Sequence, residues 1–491
     1  MNEMEHRQIT HVKSLTKNYL FSLAYQILTL ITPFITTPYV SRVLGANGIG
    51  ISSYVSAVVF YFTLVAGLGT ATAGQREVAY YRDDAARRSQ AFWNTEILNI
   101  LSVIAACVVY AIFIDFQVDN QVYYKILFFN IITVAFDIVW FFQGIEEFQK
   151  IVIRNFIFKF VGIAYLFLFV RTENDVDIYI LGNALTTFLS AISLWSYLPR
   201  YVQGIKLNAL NIRQTFNQSI RLFIPTLAIS VYIVLDKIML GSYTTDYIEN
   251  GNYEQAMKIA KMGLMFIFSF AAIMTPRISY CFKKRNFDEI RTYMMKSYRF
   301  VWLIGLPICF GLWGISSNFV PWFFGPEFDG VVGLINILAL LVPLQGLTIV
   351  SGGQYLVSIK EEGHFTYSVI AGATTNIVLN LIFIPRFYAI GASLASIIAE
   401  LMVLIVQLYY VNKHIMIKSV LFSARKYFLA SISMFLLLLI ETTFFIHIAS
   451  ILNTLILILS GVLVYVSILI LQKDDMIEEY LIKIKMKLKL M

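Results

Sequence analysis

Apolar tracts of about 20 residues, the length that a helix needs to cross a bilayer, recur along the whole chain and are separated by short polar segments. In hydrocarbon every backbone N–H and C=O must be bonded inside such helices. Only Pro385, Arg386 and the glycine of AIGAS interrupt the run 365–411, so twelve or thirteen spans stay open as alternatives. Otherwise the pattern predicts fourteen membrane-spanning helices, called spans 1–14, at about 18–42, 48–73, 92–114, 122–144, 152–170, 176–198, 215–240, 254–275, 295–316, 328–352, 365–384, 388–411, 426–447 and 451–472.

Composition excludes a water-soluble protein. Of the 491 residues 58% are hydrophobic and only 14% are charged, and the mean hydropathy is +0.71. That is too few polar residues to cover a soluble domain. The polar breaks are also too short to fold alone, so we expect an all-α polytopic membrane protein with one membrane domain.

The distribution of basic residues predicts the orientation. If the N-terminus is cytoplasmic, the two termini and the even-numbered connections hold 28 of the 38 Lys and Arg residues, and the odd-numbered connections hold only Arg171 and Arg386. Cytoplasmic loops of membrane proteins carry such an excess. Both termini, including the lysine-rich end KIKMKLKL, are therefore predicted to be cytoplasmic. Loops that face anionic lipid account for the net charge of +8, and no nucleic-acid partner is needed.

Three pairs of similar segments suggest an internal repeat. Spans 1 and 7 both end in Leu-Gly, at Gly45 and Gly241, and Arg76 and Arg277 follow spans 2 and 8. The segments GIEEFQKIVIRN and SIKEEGHFTYSV follow spans 4 and 10. A duplicated unit of six helices gives parallel lobes with a substrate path between them, although similar helix ends without duplication stay an alternative. The predicted parts are an N-lobe, a cytoplasmic linker, a C-lobe, and spans 13 and 14 with a basic C-terminus, over 1–198, 199–214, 215–411 and 412–491.

Five motifs resemble one family. PYVSRVLGANGIG at the end of span 1 and LDKIMLG at the end of span 7 are similar to the polysaccharide and O-antigen flippases of the multidrug, oligosaccharidyl-lipid and polysaccharide exporter superfamily. NYEQAMKIAKM, TPRIS and IPRFYAIGASLAS support the resemblance, which runs in order along essentially the whole chain. It implies a MATE-like fold: two parallel six-helix lobes around a central cavity lined by spans 1, 2, 7 and 8, plus two extra C-terminal helices.

The resemblance also implies an activity and a location. The expected substrate is an undecaprenyl-diphosphate-linked oligosaccharide, moved from the cytoplasmic to the outer leaflet of the bacterial cytoplasmic membrane for capsule, O-antigen or exopolysaccharide synthesis. Membrane lipid, a polymerase and glycosyltransferases of the same pathway are the implied partners.

Basic residues inside the spans are the candidates for binding such a diphosphate. Charges within membrane segments are costly and usually face a cavity or pair with one another. Arg42, Lys237, Lys258 and Lys261 lie toward the outer leaflet, where the loop bias gives no reason for a positive charge, and Lys258 and Lys261 share one helix face. These four are the predicted headgroup-binding residues. Snorkelling to the outer leaflet with local pairing, for instance of Lys237 with Asp236, stays open.

Acidic residues and prolines supply further candidates. Asp137 in span 4, Asp236 in span 7 and Glu400 in span 12 are candidates for ion coupling, since a desolvated carboxyl group carries a proton or attracts a cation. A hydrogen-bonded structural acid is the alternative. Pro33 and Pro225 occupy comparable places in the two repeats and predict helix bends, which would serve gating or only shape.

The energetics favour outward transport without ATP. A diphosphate with about two negative charges is driven outward by about 4 to 5 kcal/mol per 100 mV, and the chain has no GxxxxGK[ST] loop. We expect alternating access, with no enzymatic activity, catalytic residue, cofactor or metal. Two alternatives remain: a multidrug antiporter of the same superfamily, in which the cavity helices would carry acidic residues, and a membrane-embedded polymerase, which would need catalytic residues on a sizeable loop.

Overall fold

The computed structural model describes residues 3–204, 210–413, 415–444 and 449–478. Within these ranges the side chains are described except at residues 3–27, 30, 225, 228 and 231–233. The centre of the predicted linker and the lysine-rich C-terminus therefore lie outside the described residues. Throughout the described ranges the chain forms helices and turns without a strand, which confirms the predicted all-α fold.

Fifteen α-helices make up the described part of the chain. A π-helical segment, Ile349–Leu356, follows the twelfth. The helices are α1 Glu3–Gly67, α2 Thr70–Tyr80, α3 Ala85–Asp115, α4 Gln121–Phe136, α5 Val139–Gly144, α6 Phe148–Phe169, α7 Val176–Ser193, α8 Ile212–Tyr243, α9 Ile248–Lys283, α10 Phe287–Phe323, α11 Asp329–Leu338, α12 Leu341–Thr348, α13 Glu362–Val411, α14 Ile417–Phe444 and α15 Ile451–Leu471.

The number of spans is consistent with fourteen. Among the described residues ten helices are long and apolar enough to cross a membrane, or eleven if the bent pair Pro326–Leu338 and Leu341–Leu356 is one span. Two of the ten are each two helices joined at one non-helical residue, Gly45 or Tyr388. The helix α8 is not among the ten, although the sequence predicts span 7 there. The protein is a multi-pass membrane protein, and the exact count stays a prediction.

The break in α13 lies where the sequence predicts the boundary between spans 11 and 12. Tyr388 has φ 47° and ψ −125° there, a left-handed φ that is strained for a residue with a side chain. Gln407 Nε2 donates to Ser368 Oγ at 3.2 Å, and a Cβ atom at Gly372 would overlap Val403. Each contact joins two residues that are separated from Tyr388 by nearly the same number of residues, one before the break and one after it. The two halves of α13 therefore form an antiparallel hairpin.

The span predicted at 122–144 is present as one candidate membrane span, Gln121–Gly144, but its helix has a local break that the sequence did not indicate. The chain leaves the helix between α4 and α5, where Asp137 has φ −81° and ψ 93°. Its Oδ1 atom accepts a hydrogen bond from the backbone N–H of Val139 at 3.1 Å, as aspartate side chains do in turns. Hydropathy does not register such a break because both flanks are apolar.

The chain divides into two compact units, Met1–Ser230 and Val231–Met491. The predicted six-helix lobes and their symmetry are not tested by this division and stay predictions. In the second unit α14 and α15 pack against α10, where Tyr465 donates to the carbonyl of Leu303 at 2.9 Å and Trp322 donates to Thr454 at 2.7 Å.

A buried aromatic cluster forms part of the core of the first unit. It includes Phe92 of α3 and Trp140 of α5, whose rings stack with centroids 5.6 Å apart. The helix α2 approaches them closely because position 74 is glycine. A Cβ atom at Gly74 would lie 2.6 Å from Trp140 Cζ3 and 2.7 Å from Thr95 Cγ2. Small residues allow such close helix approach in membranes.

We predict that Gly74→Ala destabilises the protein, because its Cβ atom meets two buried side chains and overpacking of this kind costs about 1–3 kcal/mol. Gly333→Ala is the matched control, since a Cβ atom there has no neighbour within 4 Å in the described structure. The measurement is the apparent melting temperature of the detergent-solubilised protein. Equal melting temperatures for the two variants would contradict the prediction.

Candidate functional site

Asp236 lies near the end of α8 and is only 2% exposed. The turn between α8 and α9 has only four residues, so the start of α9 returns beside the end of α8. Asn250 fixes this return by donating from Nδ2 to the carbonyl of Lys237 at 2.8 Å. The carboxyl group of Asp236 therefore lies against α9 within the apolar part of the second unit.

Three side chains donate hydrogen bonds to Asp236. Its Oδ2 atom accepts from the hydroxyl groups of Tyr253 at 2.7 Å and Ser396 at 2.6 Å, and Oδ1 accepts from Asn380 Nδ2 at 2.6 Å. Tyr253 belongs to α9, and the other two belong to the two halves of the α13 hairpin. A buried carboxylate needs such donors, and these partners were not predicted from the sequence.

Asn376 extends the group by one helical turn. Its Oδ1 atom accepts from Asn380 Nδ2 at 3.0 Å, and both amides are fully buried. Asn376 Nδ2 and Asn380 Oδ1 have no hydrogen-bond partner within the described part of the chain. Asp236, Tyr253, Asn376, Asn380 and Ser396, here called the Asp236 network, thus gather carboxylate, amide and hydroxyl oxygens, the ligand types that alkali and alkaline-earth cations use.

Three of the four predicted headgroup-binding residues meet in the second unit. Lys237 Nζ lies 2.5 Å from Glu254 Oε2, and Lys258 Nζ lies 4.0 Å from Glu254 Oε1. Lys261 is close enough to interact electrostatically with Lys237, Lys258 and Glu254. We call these four residues the lysine cluster. Two carboxylates, Glu254 and the nearby Asp236, act on these three ammonium groups, so the cluster keeps a surplus of positive charge.

Glu254 was missed in the sequence analysis. It stands four residues before Lys258 and seven before Lys261 in NYEQAMKIAKM, which places all three on one face of α9. That spacing is the signal that could have identified it. Lys237 pairs with Glu254 and not with the adjacent Asp236, whose carboxylate is directed into the Asp236 network.

The remaining candidates lie elsewhere. Arg42 is in the first unit, three residues before the break at Gly45, and its side chain is exposed. Asp137 is exposed at the break between α4 and α5, so its side chain is not buried among the described residues of the first unit. α1 runs through Pro33, and its non-helical residue is Gly45. Pro225 lies in α8, and its side chain is not described.

Glu400 is buried, and two side chains of α12 donate to it. Thr348 Oγ1 lies 2.5 Å from Oε1, and Gln345 Nε2 lies 3.4 Å from Oε2. The carboxyl group thereby joins the second half of α13 to α12, as the structural interpretation requires. In the described residues no group of three or more His, Cys, Asp or Glu side chains is placed to hold a metal ion.

An apolar groove runs along the second unit beside its C-terminal helices. Its volume is 490 Å³, and its walls come from α9, α10, α14 and α15. Pro307 and Gly311 of α10 and Gly461 of α15 widen it. Its lining is almost entirely hydrocarbon, so it suits a hydrocarbon chain.

Comparisons with known proteins identify relatives along the chain. Residues 15–282, more than half of the chain, match the family model described as polysaccharide biosynthesis protein. A protein of Escherichia coli K12 described as an O-antigen transporter is 22% identical over 412 residues, which is 82% of this chain and 98% of that protein. Agl15 of Haloferax volcanii, described as a low-salt glycan biosynthesis flippase, is 24% identical over 208 residues, 42% of this chain and 44% of that protein.

Two solved structures have the same fold. The lipid II flippase MurJ in an inward closed conformation superposes with a TM-score of 0.72 at 17% identity, over 93% of this chain and 100% of that chain. An inward-facing multidrug resistance transporter of the MATE family superposes with a TM-score of 0.61 at 14% identity, over 78% of this chain and 98% of that chain. The predicted MATE-like fold is confirmed, and on the family match over residues 15–282 the chain belongs to the polysaccharide biosynthesis protein family.

Proposed function

We propose that the protein is a flippase that moves undecaprenyl-diphosphate-linked oligosaccharide from the cytoplasmic to the outer leaflet by alternating access, for the synthesis of a surface polysaccharide. The observation that carries the proposal is the lysine cluster, in which Lys237, Lys258 and Lys261 gather around Glu254 on membrane helices. The relatives described as an O-antigen transporter and a glycan biosynthesis flippase support it.

The chemistry of the substrate matches this surplus of charge. A diphosphate cannot cross hydrocarbon unaided, and cations held in a membrane helix are retained only where a partner offsets their cost. Glu254 and the nearby Asp236 offset two of the three lysines and leave one positive charge for an anion. The apolar groove along α10 and α15 offers a path for the polyprenyl chain.

The alternatives fit less well. A multidrug antiporter would bind cationic drugs and needs an accessible negative site, but the carboxyl group of Asp236 is buried and occupied by three donors. A polymerase would need catalytic groups on a sizeable loop. The connection between predicted spans 7 and 8 is mostly helical, with only Thr244–Tyr247 between α8 and α9. The relatives described as a transporter and as a flippase support the interpretation that this protein is a transporter and not an enzyme.

We further propose that the Asp236 network binds the coupling ion, a proton or a monovalent cation. Asp236 and Lys237 are consecutive in α8, and their partners Tyr253 and Glu254 are consecutive in α9. A change in occupancy at Asp236 therefore acts on the residues that hold the lysine cluster. Asp137 and Glu400, the other predicted coupling residues, are respectively exposed and bonded to α12.

Loss of cluster lysines should weaken transport without lowering abundance. The double variant Lys258→Gln, Lys261→Gln removes the surplus charge but keeps the close pair of Lys237 with Glu254, so the fold should persist while surface polysaccharide falls by at least tenfold, about 1.4 kcal/mol of lost substrate interaction. The assay is complementation of a flippase-deficient strain with protein level measured in parallel. Arg42→Gln is scored separately in the same assay.

Two controls sharpen this experiment. Lys125→Gln removes a basic residue whose Nζ atom is bonded to Gln121 on the exposed start of α4, and it should be silent. Lys237→Gln should leave abundance near normal, because Lys258 and Lys261 remain beside Glu254, whereas Glu254→Gln should lower abundance, because the three lysines then lose this carboxylate. Normal polysaccharide from the Lys258→Gln, Lys261→Gln protein at ordinary abundance would refute the role of these lysines.

Asp236→Asn should abolish the dependence of transport on the coupling ion. Asparagine keeps the shape of the side chain but has no negative charge. Its NH2 group is a donor and replaces one acceptor oxygen of Asp236, so it cannot accept a hydrogen bond from the neighbouring donors. Flipping in proteoliposomes should fall and become insensitive to sodium and pH gradients. Glu400→Gln is the matched control. Glu400 is also a buried carboxyl group, with two donors from α12, and its variant should keep the wild-type response. A wild-type response from Asp236→Asn would exclude this network as the ion site.

We infer that both termini face the cytoplasm of a bacterial cell, from the distribution of basic residues. A reporter active only outside the cytoplasm should be active when inserted within Thr244–Tyr247 and silent when fused after Met491. Insertion beside Glu146, between α5 and α6, should also be silent. The reverse pattern would overturn the orientation.

A further inference from the structure

Glu96 is a buried carboxyl group in the first unit, away from the lysine cluster and the Asp236 network along the chain. It lies on α3, and its side chain is 0% exposed. Neither carboxyl oxygen has a hydrogen-bond partner in the part of the chain that the structure describes. Its surroundings include the aromatic cluster of Phe92 and Trp140, with Phe92 one helical turn before it.

This environment sets Glu96 apart from the other buried acids. Asp236 accepts three side-chain hydrogen bonds and Glu400 accepts two, whereas Glu96 accepts none from the described residues. A carboxylate without donors or a cation in an apolar interior is strongly disfavoured, and such a group binds a proton instead. Glu96 is therefore most stable as the neutral acid in this conformation.

The neighbouring charges do not change this conclusion. The helix α3 packs chiefly against α1, α2 and α4, and among these Asp137, at the end of α4, is the group that acts electrostatically on Glu96. A nearby negative charge also favours the protonated form of Glu96. Across the described side chains of these three helices and the residue that ends α4, the charged groups are Arg42, Arg76, Glu77, Lys125 and Asp137.

Two polar features lie near this position. Asp137 is exposed at the break between α4 and α5 and acts electrostatically on Glu96. A small polar cavity of 30 Å³ is lined by Glu77, Asn94 and Thr95, among others, and the last two immediately precede Glu96. Such a cavity has room for about two water molecules.

We propose that Glu96 is a proton-binding site of the first unit, which exchanges its proton with water during transport. The O–H bond of the Glu96 carboxyl group breaks, the proton passes to water, and the reverse transfer restores it. The link to transport rests on the proposed flippase function, whereas the protonation itself does not.

The first test measures protonation without transport. Infrared spectra of the purified full-length protein at neutral pH should contain a carbonyl-stretch component of a protonated carboxylic acid that is lost in Glu96→Gln. Glu289→Gln is the matched control, because Glu289 is an exposed carboxylate of α10, and it should remove no such component. An unchanged carbonyl region in Glu96→Gln would overturn the proposal whatever the protein transports.

The second test measures the coupling. Wild-type flipping of lipid-linked oligosaccharide in proteoliposomes should vary with pH, and Glu96→Gln, which has the shape of the neutral acid, should flip at a rate that pH does not change. Asp137→Asn removes the adjacent negative charge and should shift the wild-type profile to lower pH. A wild-type profile from both variants would overturn the proposal. Absence of flipping by the wild-type protein would instead defeat the flippase function and leave the infrared result standing.

Discussion

The cost of an uncompensated charge in hydrocarbon organises the polar side chains of this protein. A helix that crosses the bilayer satisfies its own backbone, but a lysine or aspartate on it must find a partner or line a cavity. Lys237 finds Glu254 at 2.5 Å, and Asp236 finds three donors. Both solutions depend on the short turn that returns α9 beside α8. The surplus of the lysine cluster stands out because the fully buried charges described in this unit, Asp236, Glu400 and Asp474, each have side-chain partners.

Predictability from the sequence depended on how far apart the partners are. The fold class and most helices follow from hydropathy, which is a local property. Three lysines are predicted to bind the headgroup because they lie toward the outer leaflet, where the loops carry few basic residues. Ser396 and Asn380 lie more than 140 residues from Asp236, and a single sequence contains no signal for such contacts. Glu254 could have been identified from the spacing of residues on one helix face. The break at Asp137 could not have been predicted, because it depends on the orientation of one side chain.

The two sites of the second unit share a backbone arrangement that makes them mechanically dependent. Asp236 and Lys237 are consecutive in α8, and their partners Tyr253 and Glu254 are consecutive in α9. Asp236 is hydrogen-bonded to Tyr253, and Lys237 pairs with Glu254. Either helix would have to rotate to release one pair, and the same rotation displaces the other. A coupling of this kind needs two adjacent pairs and no long pathway through the protein.

The hairpin of α13 has a consequence for how the chain enters the membrane. Its halves are joined at Tyr388 without a polar loop, and Glu249 of α9 accepts the backbone N–H of Ala389 at 3.1 Å. The turn is too short to stay in water while one half is already in lipid, so the hairpin Glu362–Val411 can enter the membrane as one unit of 50 residues. Because Glu249 precedes the hairpin in the sequence, its carboxylate is synthesised before the N–H group of Ala389 to which it is bonded.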